Sequence, residues 1–131
     1  MPRIYIASRA SIPARAAEWR RLRDVDGHDI TSTWIDEAGP GKTADFGDLW
    51  QRILNEVTSA DRLILYVEAA DLPLKGAYVE VGMALAAGIP VTVVAPDIEV
   101  DPHTCRPLGS WLRHPLVTQA PTMAAALAPS T

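Results

Sequence analysis

ADRLILYVEAADLPLKGAYVEVGMALAAGIPVTVVAP (residues 60–96) packs two short apolar runs and one longer helical segment into a single stretch of chain. The first run, Arg62 to Val67, is short and aliphatic and ends in acidic loop residues, as a buried strand does. A helix is expected from about Gly76 to Ala87, where Gly88 and Pro90 break it, and Val91 to Ala95 supplies the next strand. Within GAYVEVGMALAAG, Glu80 is the only charge in a segment otherwise fit to be buried on every side. A lone carboxylate there must be paired, neutralised or used.

Outward from this unit the same alternation continues. RIYIA (Arg3 to Ala7) reads as a first strand, Ser11 as the cap of a helix with Pro13 in its first turn, and Ala16, Trp19 and Leu22 recur at helical spacing. Asp29 to Trp34 is β-branched and alternating and predicts a second strand, followed by a loop, IDEAGPGKTAD. From Asp45, the residues Phe46, Leu49, Trp50, Ile53, Leu54 and Val57 trace one face of an amphipathic helix. After the strand at Val91 the chain is proline-rich, with a helical turn expected at Leu108 to Leu112, a small strand near Leu116 to Val117 and a helix near Thr122 to Leu127.

Strands and helices alternating at these lengths predict one α/β domain over residues 1–131, a Rossmann-like (flavodoxin-like) parallel sheet of about five strands with helices on both faces. Ligands of such sheets sit outside the carboxyl ends of the strands, where the winding direction reverses. That rule gathers Tyr5, Ser8, Arg9, Glu68, Asp71 and Glu80 around one crevice.

Composition narrows the function classes. The net charge of −4 argues against a nucleic-acid polymer as partner, although six of the twelve basic residues fall in the first 23 positions, where a solvated helix face accounts for most of them. Arg9 stands apart, just beyond the first strand. A single cysteine, Cys105, excludes an internal disulfide framework, and the apolar run at the start is too short for a signal peptide, so a reducing cytoplasm is the expected setting. Val81 to Pro96 is the longest uncharged stretch, but Gly88 and Pro90 split it short of a membrane span.

AGPGKT imitates a phosphate-binding Walker loop, but the opening glycine of that pattern would fall on Asp36, so the segment reads better as a mobile lid over the crevice. His28, His103, His114 and Cys105 have no metal-like spacing, and neither metal nor cofactor is expected.

IYIAS, ADRLILY and GAYVEVGMALAAGIPV together resemble the nucleoside 2-deoxyribosyltransferase family and its relatives that hydrolyse nucleotide N-glycosidic bonds. The specific core is Gly76, Glu80 and Gly82 in a G-x-x-x-E-x-G pattern. The resemblance spans about the first three-quarters of the chain and implies that Glu80 is the nucleophile at the anomeric carbon, with Tyr5 as its hydrogen-bonding partner. It also implies that Ser8 and Arg9 approach the 5′ end of the substrate, where Arg9 would read a monophosphate. Asp48 is the family-based candidate for assisting the leaving base; the family's second acid, just before the motif glycine, is replaced here by Leu74 and Lys75. Glu68 and Asp71 are the available substitutes. Trp34 and Asp36 are candidates for stacking on and hydrogen-bonding a base, and Trp34 is equally readable as core. Ser110 and Trp111 fall where family members reach into a neighbouring subunit's site, which implies a homo-oligomer.

The expected activity is cleavage of the N-glycosidic bond of a nucleoside 5′-monophosphate or nucleoside through a glycosyl-glutamate intermediate, by hydrolysis or base exchange. A non-catalytic nucleotide-binding protein on the same scaffold is the alternative.

Overall fold

The structure is a computed structural model that describes residues 1–39 and 41–128. Five parallel strands form one sheet in the order β2-β1-β3-β4-β5: β1 (Arg3–Ala7), β2 (Asp29–Ile30), β3 (Arg62–Tyr66), β4 (Val91–Val94) and β5 (Val117–Ala120). Four helices connect or follow them: α1 (Pro13–Asp24), α2 (Phe46–Thr58), α3 (Gly76–Ala86) and α4 (Met123–Leu127). This is the expected single-domain, flavodoxin-like α/β architecture. With every crossover right-handed, the outward step from β1 to β2 and the opposite step from β3 to β4 put α1 on one face and α3 on the other.

Parallel strands buried on both faces require unbroken apolar sequence, and Ile4 to Ala7 and Leu63 to Leu65 are almost completely enclosed. Because side chains alternate along a strand, Tyr5 on β1 and its register partner Leu63 on β3 share a face. Tyr66, one strand face away, packs edge-on against Trp19 of α1, with ring centroids 5.1 Å apart.

Three local expectations are corrected. The second strand stops at Ile30, and Thr33–Asp36 winds into a 3₁₀ turn. Side chains replace the missing ladder, because the Ile6 amide donates to Ser32 Oγ at 3.1 Å and the Trp34 indole donates to the Ile6 carbonyl at 2.8 Å. Ile12 rather than Ser11 occupies the cap of α1 and makes no side-chain cap bond, while Ser11 Oγ accepts from Arg9 Nε at 3.0 Å. The last strand runs on to Ala120, pairing fully with β4, where its sequence signal covered only Leu116 and Val117.

Helix α3 is less enclosed than its composition predicts. Ala77, Glu80, Val81 and Ala84 are buried, whereas Val79 is 52% exposed and Gly82 is exposed. A helix lying on a sheet must leave one flank outward, and here that flank is apolar too. Gly88, at φ 75°, ends the segment in the left-handed region, where glycine carries no Cβ penalty.

Candidate active site

The carboxyl ends of β1 and β3 are adjacent, and the chain leaves them in opposite directions, so a crevice opens between the segments that follow. Ser8, Arg9 and Ser11 after β1 form one wall and Asp71 to Lys75 after β3 another; Trp34, Leu49, Trp50 and Ile53 close the side facing α2. The cleft has a volume of about 540 Å3, and Glu80 lies at its base.

Glu80 is 6% exposed and Tyr5 fully buried, and the Tyr5 hydroxyl donates a hydrogen bond to Glu80 Oε1. Burial pushes the Glu80 carboxyl up to about 7; the Tyr5 hydrogen bond pulls against that rise, and the negative charge of Glu56 adds to it. Glu80 occupies the second turn of α3, beyond the reach of the helix's positive end, so desolvation wins over the dipole. Tyr5 is raised well above the usual phenol range by burial first and by the Glu80 charge second, which keeps its proton in place as a donor. The result is a carboxylate that ionises near neutrality, is held in one orientation and opens onto a cleft.

Arg9 reaches the cleft with its Nε donating to Ser11 Oγ and its Nη1 donating to the Ala70 carbonyl at 3.3 Å. Among the described residues no carboxylate pairs with it, so its charge is available to an anion. Ser8 is buried against α1, where its Oγ accepts from Trp19 Nε1 at 3.0 Å, and its hydroxyl proton is left to donate. Trp34 is buried, with its indole N–H bound to the Ile6 carbonyl, and it also lines the cleft. Gly76 begins α3 close to Trp50, whose ring carbons lie 3.5 Å from where a Cβ would stand, an ordinary contact that leaves room for a small side chain.

The other carboxylates are placed differently from expectation. Asp71 lines the cleft but is committed to Arg15, 2.5 Å away, and to the Glu68 amide at 2.8 Å. Glu68 turns to the opposite side of the sheet, where it meets Arg15 at 3.2 Å and accepts from the Tyr66 hydroxyl at 2.5 Å. Asp36 makes a two-pronged pair with Arg23, both contacts at 2.9 Å, which holds its carboxyl below the ordinary range. Asp48, in the exposed first turn of α2, pairs with Arg52 at 3.0 Å, one helical turn on. Glu68, Asp36 and Asp48 do not line the cleft. Ser110 and Trp111 are also away from it; the Trp111 ring packs edge-on against Tyr78 at 5.8 Å. The AGPGKT loop contributes no described residue to the cleft wall, and its Pro40 lies outside the described residues.

Sequence reasoning overlooked Trp50 and Lys75 as cleft residues. Trp50 shares the apolar periodicity of α2 with true core positions, so no pattern marks it out; Lys75 did carry a signal, as a cation just before a helix start. A larger groove of about 1000 Å3 runs between α1 and α4 on the other face, without the Glu80–Tyr5 pair. Among the described residues no group of three or more metal-binding side chains occurs, and no helix is long and apolar enough to cross a membrane.

Solved structures share this arrangement of strands and helices. A 2-deoxyribosyltransferase from Bacillus psychrosaccharolyticus superposes with a TM-score of 0.60 over 76% of each chain, at 18% identity. A CMP N-glycosidase from Clostridium botulinum matches over 95% of this chain and 94% of its own, with a TM-score of 0.54 and 15% identity. The chain shares its fold with both enzymes. A 2-deoxyribosyltransferase from Leishmania mexicana matches it as well, with a TM-score of 0.55 and 17% identity over 76% of this chain and 68% of that one. No family model and no curated protein matches by sequence.

Proposed function

We propose that this protein is an enzyme that cleaves the N-glycosidic bond of a nucleoside 5′-monophosphate, or of a nucleoside, with Glu80 as nucleophile. The observation that carries the reading is the buried Tyr5–Glu80 pair at the base of the cleft. A carboxylate held by one oxygen keeps the other for the anomeric carbon, and its raised pKa strengthens it as a nucleophile while leaving it substantially ionised at neutral pH. Attack forms a glycosyl ester and expels the base; water or a second base then releases the sugar from Glu80. Tyr5 stays protonated throughout and orients the attacking carboxylate.

Hydrolysis of a monophosphate is favoured over base exchange. Arg9, uncommitted to any carboxylate among the described residues, offers a 5′-phosphate a charge-assisted and bidentate partner, and Ser8 supplies a hydroxyl beside it. The similarity of fold to a CMP N-glycosidase supports the same choice.

Incubation with a panel of nucleosides and 5′-monophosphates, followed by chromatography for free base, tests the reading. Release of base from one substrate, abolished in Glu80→Gln, is the expected result. Tight binding without release would instead assign the cleft to a nucleotide-binding protein, and full activity in Glu80→Gln would remove the covalent mechanism.

A further inference from the structure

A departing base carries away the electron pair of the glycosidic bond, and something in the cleft must receive that charge. A carboxylic acid is the usual donor. Among the described residues this cleft has none to spare: its two carboxyl groups are Glu80, held by Tyr5 and needed as nucleophile, and Asp71, buried in its pair with Arg15. The cations lining it are Arg9, on the β1 side, and Lys75, at the start of α3.

Lys75 is an unexpected residue where it stands. It occupies the cap position of α3, where Ser, Thr, Asp or Asn would satisfy the first amides and where the positive end of the helix repels a cation. The first turn of α3 holds no acidic residue, and among the described residues no hydrogen bond or ion pair engages the Lys75 ammonium. Lys75 is exposed and lines the cleft, so its charge is free to meet a ligand that carries negative charge.

We propose that Lys75 is the leaving-group residue of this site, stabilising the departing base as an anion rather than protonating it. The inference rests on the glycosidase reading above. In the step, a Glu80 oxygen forms a bond to the anomeric carbon as the carbon–nitrogen bond breaks. The bonding pair stays on the base nitrogen and spreads onto a conjugated carbonyl oxygen, where the ammonium of Lys75 meets it. Water later adds hydroxide to the sugar carbon, freeing Glu80, and its remaining proton goes to the base. An ammonium is too weak an acid to protonate a ring nitrogen that is only feebly basic, so this device suits bases that leave with charge on a carbonyl next to the glycosidic nitrogen, as pyrimidines do. The flexible four-carbon stem lets the charge follow the base as it moves off.

The test compares base release from a 5′-monophosphate substrate with fluoride release from the matching 5-phosphoglycosyl fluoride, whose leaving group needs no such help. Lys75→Met should lower base release about 100-fold, the usual cost of removing one donor from developing charge, and leave fluoride release little changed. Lys75→Arg should recover part of the base release. Equal losses on both substrates, or no loss on either, would overturn the role of Lys75 while leaving the glycosidase reading intact. Failure of the parent protein to release either base or fluoride would overturn that reading, and this inference with it.

Discussion

At the scale of single residues, Glu80 sets function against stability. Its folded pKa of about 7 lies above its ordinary value of 4.5, so the folded chain holds a proton that the unfolded chain has lost between those two values. Its contribution to stability is therefore complete below pH 4.5 and is lost as pH rises through 7, a change on the order of 3 kcal/mol. Activity should run the other way, rising through pH 7 as the nucleophile ionises. Denaturant titrations of the parent and Glu80→Gln at pH 5 and pH 8 should show the variant gaining stability relative to the parent at the higher pH, with no activity at either. A parent whose stability is flat across that interval would mean that Glu80 is ionised throughout.

Arg9 makes a separate prediction at the same scale. Loss of one charge-assisted phosphate contact costs about 1.5–3 kcal/mol, so Arg9→Ala should weaken use of a monophosphate roughly ten- to a hundredfold. Any nucleoside reaction should be nearly untouched. Equal losses on both substrates would return Arg9 to the solvated basic face of the first 23 residues and shift the reading towards a nucleoside transferase.

At the scale of elements, α2 is the wall that gives the cleft its aromatic side, and its start depends on one bond. Asp45 caps the helix by accepting from the Asp48 amide at 3.1 Å. Asp45→Ala should cost about 0.5–2 kcal/mol of stability, measured by chemical denaturation, with Trp50 and the cleft left in place. The amphipathic periodicity of α2 and the Gly88–Pro90 break after α3 were legible because each element's own residues determine them. The end of β2 was not, because Ser32 and Trp34 leave the strand to bond with Ile6, a residue distant in sequence.

At the scale of the whole molecule, Phe46 and Leu54 on α2 and Val79 on α3 are 69%, 46% and 52% exposed, and these two helices pack against each other. Exposed apolar side chains of this size are what self-association covers, and we expect a homo-oligomer that buries them. Light scattering at micromolar concentration should give at least twice the 14.2 kDa chain mass, and Phe46→Asp with Val79→Asp should return it to one chain. A monomeric parent would leave these side chains without that role. Trp111, which the family resemblance sets near a neighbouring subunit's site, packs against Tyr78.

The sequence by itself determined the alternation of strands and helices, the parallel sheet and the isolation of Glu80, because apolar periodicity and breakers act over a few residues at a time. Its family resemblance also pointed to Tyr5, and the structure places that hydroxyl on Glu80. Only the tertiary structure decided which carboxylates are free to act. Asp48, Asp36, Glu68 and Asp71 are acids like Glu80, and what sets them apart from it is an arginine within reach: Arg52 for Asp48, Arg23 for Asp36, and Arg15 for Glu68 and Asp71. Such pairing and placement depend on side-chain positions rather than on residue type: three of the four lie off the cleft and Asp71 is bound to Arg15, which leaves Glu80, with only a phenol for company, as the carboxylate available there.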